Sequence, residues 1–133
     1  MVDEASAQRW LDAYSRAWES YDPKAIGDLF SDDAEYRFYP WADGSDVVRG
    51  RKSIVEAWLK DPDKPGTYTG EYRPRLVHDD TVIAVGVSRY YTDASKTTLE
   101  REYQNLWVME FDGAGKCCSY TEWYMRSKPD RQS

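Results

Sequence analysis

Between Ala5 and Tyr21 the apolar side chains fall at Trp10, Leu11, Tyr14, Ala17, Trp18 and Tyr21, a spacing that marks one face of an α-helix. Asp22-Pro23 then offers an N-cap and a first-position proline. Ile26, Leu29 and Phe30 keep helical spacing as far as Ser31-Asp32-Asp33, which predicts a short second helix. The period changes at Ala34. From there to Tyr39 the chain is rich in Tyr and Phe, predicting a strand closed by Pro40 and the turn signal Asp43-Gly44. After Gly50, the positions Ile54, Val55, Trp58 and Leu59 fit a third short helix, which ends before Asp61–Gly66 because Pro62 and Pro65 lack backbone donors. From Tyr68 onward, β-rich stretches are separated by His78-Asp79-Asp80, Asp93-Ala94-Ser95-Lys96 and Asp112-Gly113-Ala114-Gly115. Short turns between long strands predict an antiparallel meander, so the class is α+β.

Residues two apart in a strand share a face, and this parity isolates the unusual polar positions. Ile83, Val85, Val87, Arg89 and Tyr91 fall on one side of their strand, with Arg89 the only charge among them. In the next strand Leu99, Arg101, Tyr103, Asn105, Trp107, Met109 and Phe111 share a side, and Asn105 sits between two large aromatics. In the last strand Ser119, Thr121, Trp123 and Met125 compete with Cys118, Tyr120, Glu122, Tyr124 and Arg126 for the inward side. With the second set inward, Arg89, Asn105 and Glu122 converge in apolar surroundings, where polar groups are paired or used. The alternative is that the three satisfy one another or face solvent at strand ends.

Composition narrows the function. A chain of 133 residues suits one domain, expected here to span 1–133 with a core at 5–126 and a loose tail at 127–133. A formal charge of −6 with scattered basic residues argues against nucleic-acid partners and anionic membranes. No apolar run approaches the ~20 residues of a spanning helix. Val2–Ser6 lacks the basic and apolar regions of a signal peptide, so a cytoplasmic location is expected. Aromatics make up 15% of the chain, with 11 Tyr and 6 Trp against 3 Phe, and their polar tips suit walls that border a pocket. The lone His78 and the acid pairs Asp32-Asp33 and Asp79-Asp80 sit at turns, and no set with metal spacing occurs, so neither metal nor cofactor is expected. The adjacent Cys117 and Cys118 point to opposite faces and read as reduced structural residues.

Leu29-Phe30-Ser31-Asp32-Asp33-Ala34, Arg49-Gly50-Arg51-Lys52-Ser53-Ile54 and the ending Phe111-Asp112-Gly113-Ala114-Gly115-Lys116 with Tyr120-Thr121-Glu122-Trp123-Tyr124 carry a resemblance. Over about residues 5 to 126 the chain resembles the nuclear-transport-factor-2-like superfamily, in its SnoaL-like branch. That resemblance implies a cone-shaped, curved antiparallel sheet wrapped around the N-terminal helix, with two further short helices and a pocket between them. It places Tyr120, Glu122 and Tyr124 on the pocket side with Arg89, Asn105 and Trp107. Against ketosteroid isomerases, Tyr14 matches the tyrosine that polarises the substrate carbonyl, but Phe38 and Trp107 stand at the two acids, which excludes that mechanism. Against limonene-epoxide hydrolases, Tyr36, Arg89 and Glu122 match the water-holding tyrosine, the arginine and one acid, while Phe38 and Tyr91 replace the asparagine and the other acid.

The expected pocket surface is therefore Tyr14, Trp18, Tyr36, Phe38, Tyr91, Tyr103, Trp107, Tyr120 and Tyr124, with Asn105 as a polar anchor and Glu122 with Arg89 as the catalytic pair. The expected partner is a small, apolar or amphipathic molecule. It is either bound unchanged or turned over by an isomerase, cyclase, dehydratase or epoxide-hydrolase-like reaction. A non-catalytic interaction module is the third reading, and a homodimer packed through the sheet is expected, with Leu106, Val108 and Trp123 on the sheet's other face.

Overall fold

The structure, a computed structural model, describes residues 2–127. Helix α1 runs Glu4–Ser20 and opens on a reciprocal cap: the Asp3 carboxylate accepts from the Ser6 N–H at 2.8 Å, and Ser6 Oγ accepts from the Asp3 N–H at 3.0 Å. It ends at Tyr21, whose left-handed backbone (φ 52°) returns its N–H to the Ala17 carbonyl. Helix α2 (Pro23–Gly27) follows, then β1 (Phe30–Arg37), β2 (Val48–Arg49), α3 (Arg51–Lys60), β3 (Tyr68–His78), β4 (Thr81–Tyr91), β5 (Leu99–Phe111) and β6 (Cys117–Arg126). None of the helices among the described residues is long and apolar enough to cross a membrane.

One sheet of order β2-β1-β6-β5-β4-β3 packs against α1. Its pairs are antiparallel except β1 with β6, which run parallel, so the sheet is mixed where a wholly antiparallel one was expected. A parallel pair needs a long crossover, and everything between Arg37 and Cys117 supplies it. That pairing also shortens the second helix. Leu29 and Phe30 were expected inside it, yet the Leu29 carbonyl accepts from the Cys117 N–H and the Trp10 indole, both at 2.9 Å, and Phe30 already pairs with Cys117. Arg51 on α3 holds the Phe30 carbonyl at 2.8 and 3.0 Å. These long-range bonds outweigh the local helical spacing, and β1 begins four residues before Ala34. At the other end, Ser127 is tied to β5: its N–H donates to the Glu102 carbonyl at 2.9 Å and its hydroxyl accepts from Gln104 at 3.1 Å. The rest of the expected tail lies outside the described residues.

The faces of β4 decide where the site forms. Val82, Ala84 and Ser88 are buried toward α1, and they pair in register with Met109, Trp107 and Tyr103 of β5. Ile83, Val85, Val87 and Arg89 therefore point away from the core. The inward face of β4 is small because its neighbours are large. A Cβ at Gly86 would come within 2.2 Å of the Glu71 carbonyl oxygen and 2.4 Å of the Tyr72 ring.

Candidate binding site

Between α1 and the inner face of the sheet lies a cavity of about 190 Å³. Tyr14 and Trp18 reach it because they sit one turn apart on the buried face of α1; Tyr36 comes from the end of β1 and Phe38 from just beyond it. Tyr103, Asn105 and Trp107 alternate into it from β5, and Glu122 and Tyr124 from β6. The rings hold one another: Tyr14 and Trp107 have centroids 4.5 Å apart, Tyr72 and Trp107 4.4 Å, and Tyr36 stacks on Tyr120 at 4.3 Å. Tyr124 stands at the rim, 56% exposed, with its ring edge-on to Tyr103.

Glu122 is the one carboxylate in this wall. Burial pushes it up to about 7, and the Tyr120 hydroxyl and Trp107 indole, which favour its charged form, only partly oppose the shift. Both donors are weakly engaged. Tyr120 Oη donates to Glu122 Oε1 at 3.4 Å, and Trp107 Nε1, facing Glu122 across the β5–β6 ladder, is buried without a bond of full geometry. Burial also raises the phenols of Tyr14, Tyr36 and Tyr120 well above their ordinary value, with Glu122 adding to each, so they are neutral donors at physiological pH.

Arg89 is not part of this group. Its guanidinium lies on the opposite face of the sheet, where Nε donates to Glu102 at 2.7 Å and Nη1 meets Glu71 at 3.5 Å. Tyr91 is likewise absent from the cavity wall, and Tyr120, fully buried, forms a layer behind it. The expected Arg89–Asn105–Glu122 convergence thus reduces to Asn105 and Glu122. Arg89 was misplaced because both faces of β4 are apolar, and the bulkier one turned out to be the outer one. In its place the cavity gains Tyr68 and Tyr72 from β3 and Ser88 and Tyr90 from β4. A signal for these existed: the small run Ala84, Gly86, Ser88 needs large side chains on the neighbouring strands to fill the space above it.

A larger hollow, about 810 Å³, lies on the outer face against Val85, Leu106, Trp123 and Met125, with Trp41 at its border. No carboxylate lines it, and Trp41, Trp123 and Met125 are 75%, 42% and 74% exposed, so it is an open apolar surface rather than a chemical site.

A family model described as the SnoaL-like domain matches residues 11–120. The chain belongs to the SnoaL-like family. The SnoaL-like match stops two residues short of Glu122, so the carboxylate lies beyond it. No curated protein matches the chain in sequence. Among solved structures, this SnoaL-like chain is similar to an NTF-2-like protein of unknown function from Burkholderia xenovorans LB400, at 22% identity over 91% of this chain and 84% of that one, with a TM-score of 0.65. It is also similar to the epoxide hydrolase/cyclase-like enzyme SalBIII of pyran ring formation in the polyether salinomycin, at 19% identity over 94% and 95% of the two chains, with a TM-score of 0.69. A third is RV0760c from Mycobacterium tuberculosis in complex with estradiol-17beta-hemisuccinate, at 11% identity over 92% and 98%, with a TM-score of 0.67. At these identities the likeness establishes the nuclear-transport-factor-2-like fold of this SnoaL-like chain.

Proposed function

We propose that the inner cavity binds one small, largely apolar molecule and holds a polar part of it against Glu122. The observation that carries this reading is a single carboxyl, set among neutral aromatic donors and without a cation among the described residues, in the wall of a cavity built mainly of aromatic rings. Its volume sets the scale of the ligand. An apolar cavity of about 150 Å³ accommodates benzene, so about 190 Å³ suits one ring with a substituent. The complex of RV0760c with estradiol-17beta-hemisuccinate supports ligand binding in this fold. Calorimetric titration with toluene tests the reading: saturable binding below about 1 mM is expected, abolished by Ser88→Phe, which fills the cavity. Binding that survives the filled cavity counts against it.

A catalytic reading is favoured by one further feature, that burial pushes Glu122 up to about 7, the range where a general acid or base works best. With no second acid and no arginine in the cavity wall among the described residues, the site suits proton transfer within one substrate, as in isomerisation, cyclisation or dehydration, better than epoxide hydrolysis by an acid pair. Once a substrate is found, Glu122→Gln is expected to reduce kcat at least about 100-fold; full turnover in that variant removes the role. The exposed outer face around Leu106 and Trp123 supports pairing of two copies through the sheet, and Trp123→Glu is expected to leave a monomer in sedimentation.

A further inference from the structure

Asn105 is 7% exposed, lines the cavity, and donates through Nδ2 to Ser88 Oγ at 2.7 Å. Ser88 Oγ lies 2.5 Å from the Tyr72 hydroxyl, which in turn lies 2.5 Å from the Tyr68 hydroxyl. The result is a chain of hydrogen bonds crossing β5, β4 and β3, whose links satisfy one another rather than a ligand. Its effect falls on Asn105. With one amide proton committed to Ser88, the side chain is held in one orientation, and no donor among the described residues reaches its Oδ1. Oδ1 is not sealed inside the packing, so in the cavity wall it is open to accept from a donor on the occupant. Asn105 pairs with Tyr124 and Trp107 with Glu122, so Asn105 and Glu122 are diagonal neighbours across the ladder, about 7–8 Å apart at the backbone, within reach of the two ends of one ring.

Building on the cavity reading above, we propose that Asn105, oriented by the Ser88–Tyr72–Tyr68 chain, is a specificity-determining subsite for a hydrogen-bond donor. The ligand class is then a single-ring compound carrying a hydroxyl or an amine N–H. Oδ1 accepts the ligand's proton, and Ser88 and Tyr72 act as positioning residues that never touch the ligand's donor.

Three probes of one ring each separate this inference from the reading it rests on: toluene, p-cresol and 4-methylanisole, in which the cresol hydroxyl is capped as an ether. Affinities come from calorimetry, and the indole N–H resonances of Trp18 and Trp107 report whether the probe is in the inner cavity. The expected result is that p-cresol binds about 5- to 10-fold more tightly than 4-methylanisole. The preference is expected to fall below about twofold in Asn105→Leu and to shrink in Ser88→Ala, which releases the amide while leaving Asn105 in place. Should Asn105→Leu fail to fold, Ser88→Ala alone decides. Equal affinity for p-cresol and 4-methylanisole, with toluene bound, overturns the subsite and leaves the cavity reading standing. If no probe moves the Trp18 or Trp107 resonances, the cavity reading fails and the subsite fails with it.

Discussion

The two faces of β4, β5 and β6 are made by the same three strands and treat charge in opposite ways. On the outer face Arg89 meets Glu102 at 2.7 Å and Glu71 at 3.5 Å, both within reach of water. The bonds from Ser127 and Arg89 hold the Glu102 carboxyl below its usual range. On the inner face Glu122 has no cation among the described residues, its donors are long or misaligned, and burial pushes it up to about 7. Charge on the outer face is compensated and chemically quiet. On the inner face it is left uncompensated, which is the condition under which a carboxyl becomes useful to a bound molecule.

The contrast is broken first by packing. Trp107→Ala, at a side chain 2% exposed and in contact with Tyr14 and Tyr72, is expected to destabilise the chain by about 3–5 kcal/mol in urea unfolding. Trp123→Ala on the outer face, 42% exposed, is expected to change stability by less than about 1 kcal/mol in a monomer. Similar losses at the two sites would erase the distinction between core and surface.

Glu122 gives the next largest effect. Its folded-state value of about 7 lies above the 4.5 of an ordinary glutamate, so the folded form holds its proton more tightly than the unfolded form. That contribution is fully present below about pH 4.5 and is lost as pH rises through about 7, by an amount on the order of 3 kcal/mol. Glu122→Gln removes the dependence, so the variant is expected to gain on the parent between pH 5 and 8 in thermal melts. Parallel curves for the two proteins would contradict the shift.

Gly86→Ala probes the close approach of Tyr72 to β4 and is expected to cost about 1–3 kcal/mol through overpacking. The smallest effect belongs to the outer pair. Glu102 has a lowered value, so its stabilisation is present above the ordinary glutamate range and fades as pH falls through the folded value. Because Arg89 is 35% exposed, Glu102→Gln is expected to cost under about 1 kcal/mol at pH 7, and less in high salt.

Much of this arrangement was legible in the amino-acid order. The periodicity of α1 exposes Trp10, Tyr14 and Trp18 as one face, and the β5 alternation already set Asn105 beside Trp107. What escaped has a common cause. Phe30 has helical spacing and becomes a strand because a partner 87 positions away pairs with it. Arg89 looks inward because Val85 and Val87 make its face of β4 the more hydrophobic one, while the true inner face is occupied by rings from β3 and β5. Tyr68 and Tyr72 are ordinary strand residues until their hydroxyls are found linked to Ser88. Each miss concerns contacts between distant segments, which local pattern does not encode.

The uncompensated carboxyl on the inner face is tested most directly by carbon NMR of the chain labelled at glutamate Cδ, titrated from pH 3 to 9 and assigned with Glu122→Gln. One resonance with a midpoint near 7, missing from that variant, is the expected result. A Glu122 midpoint in the ordinary glutamate range, near 4.5, would mean the carboxyl is solvated or paired, and the inner face would then have no claim over the outer one as the chemical site.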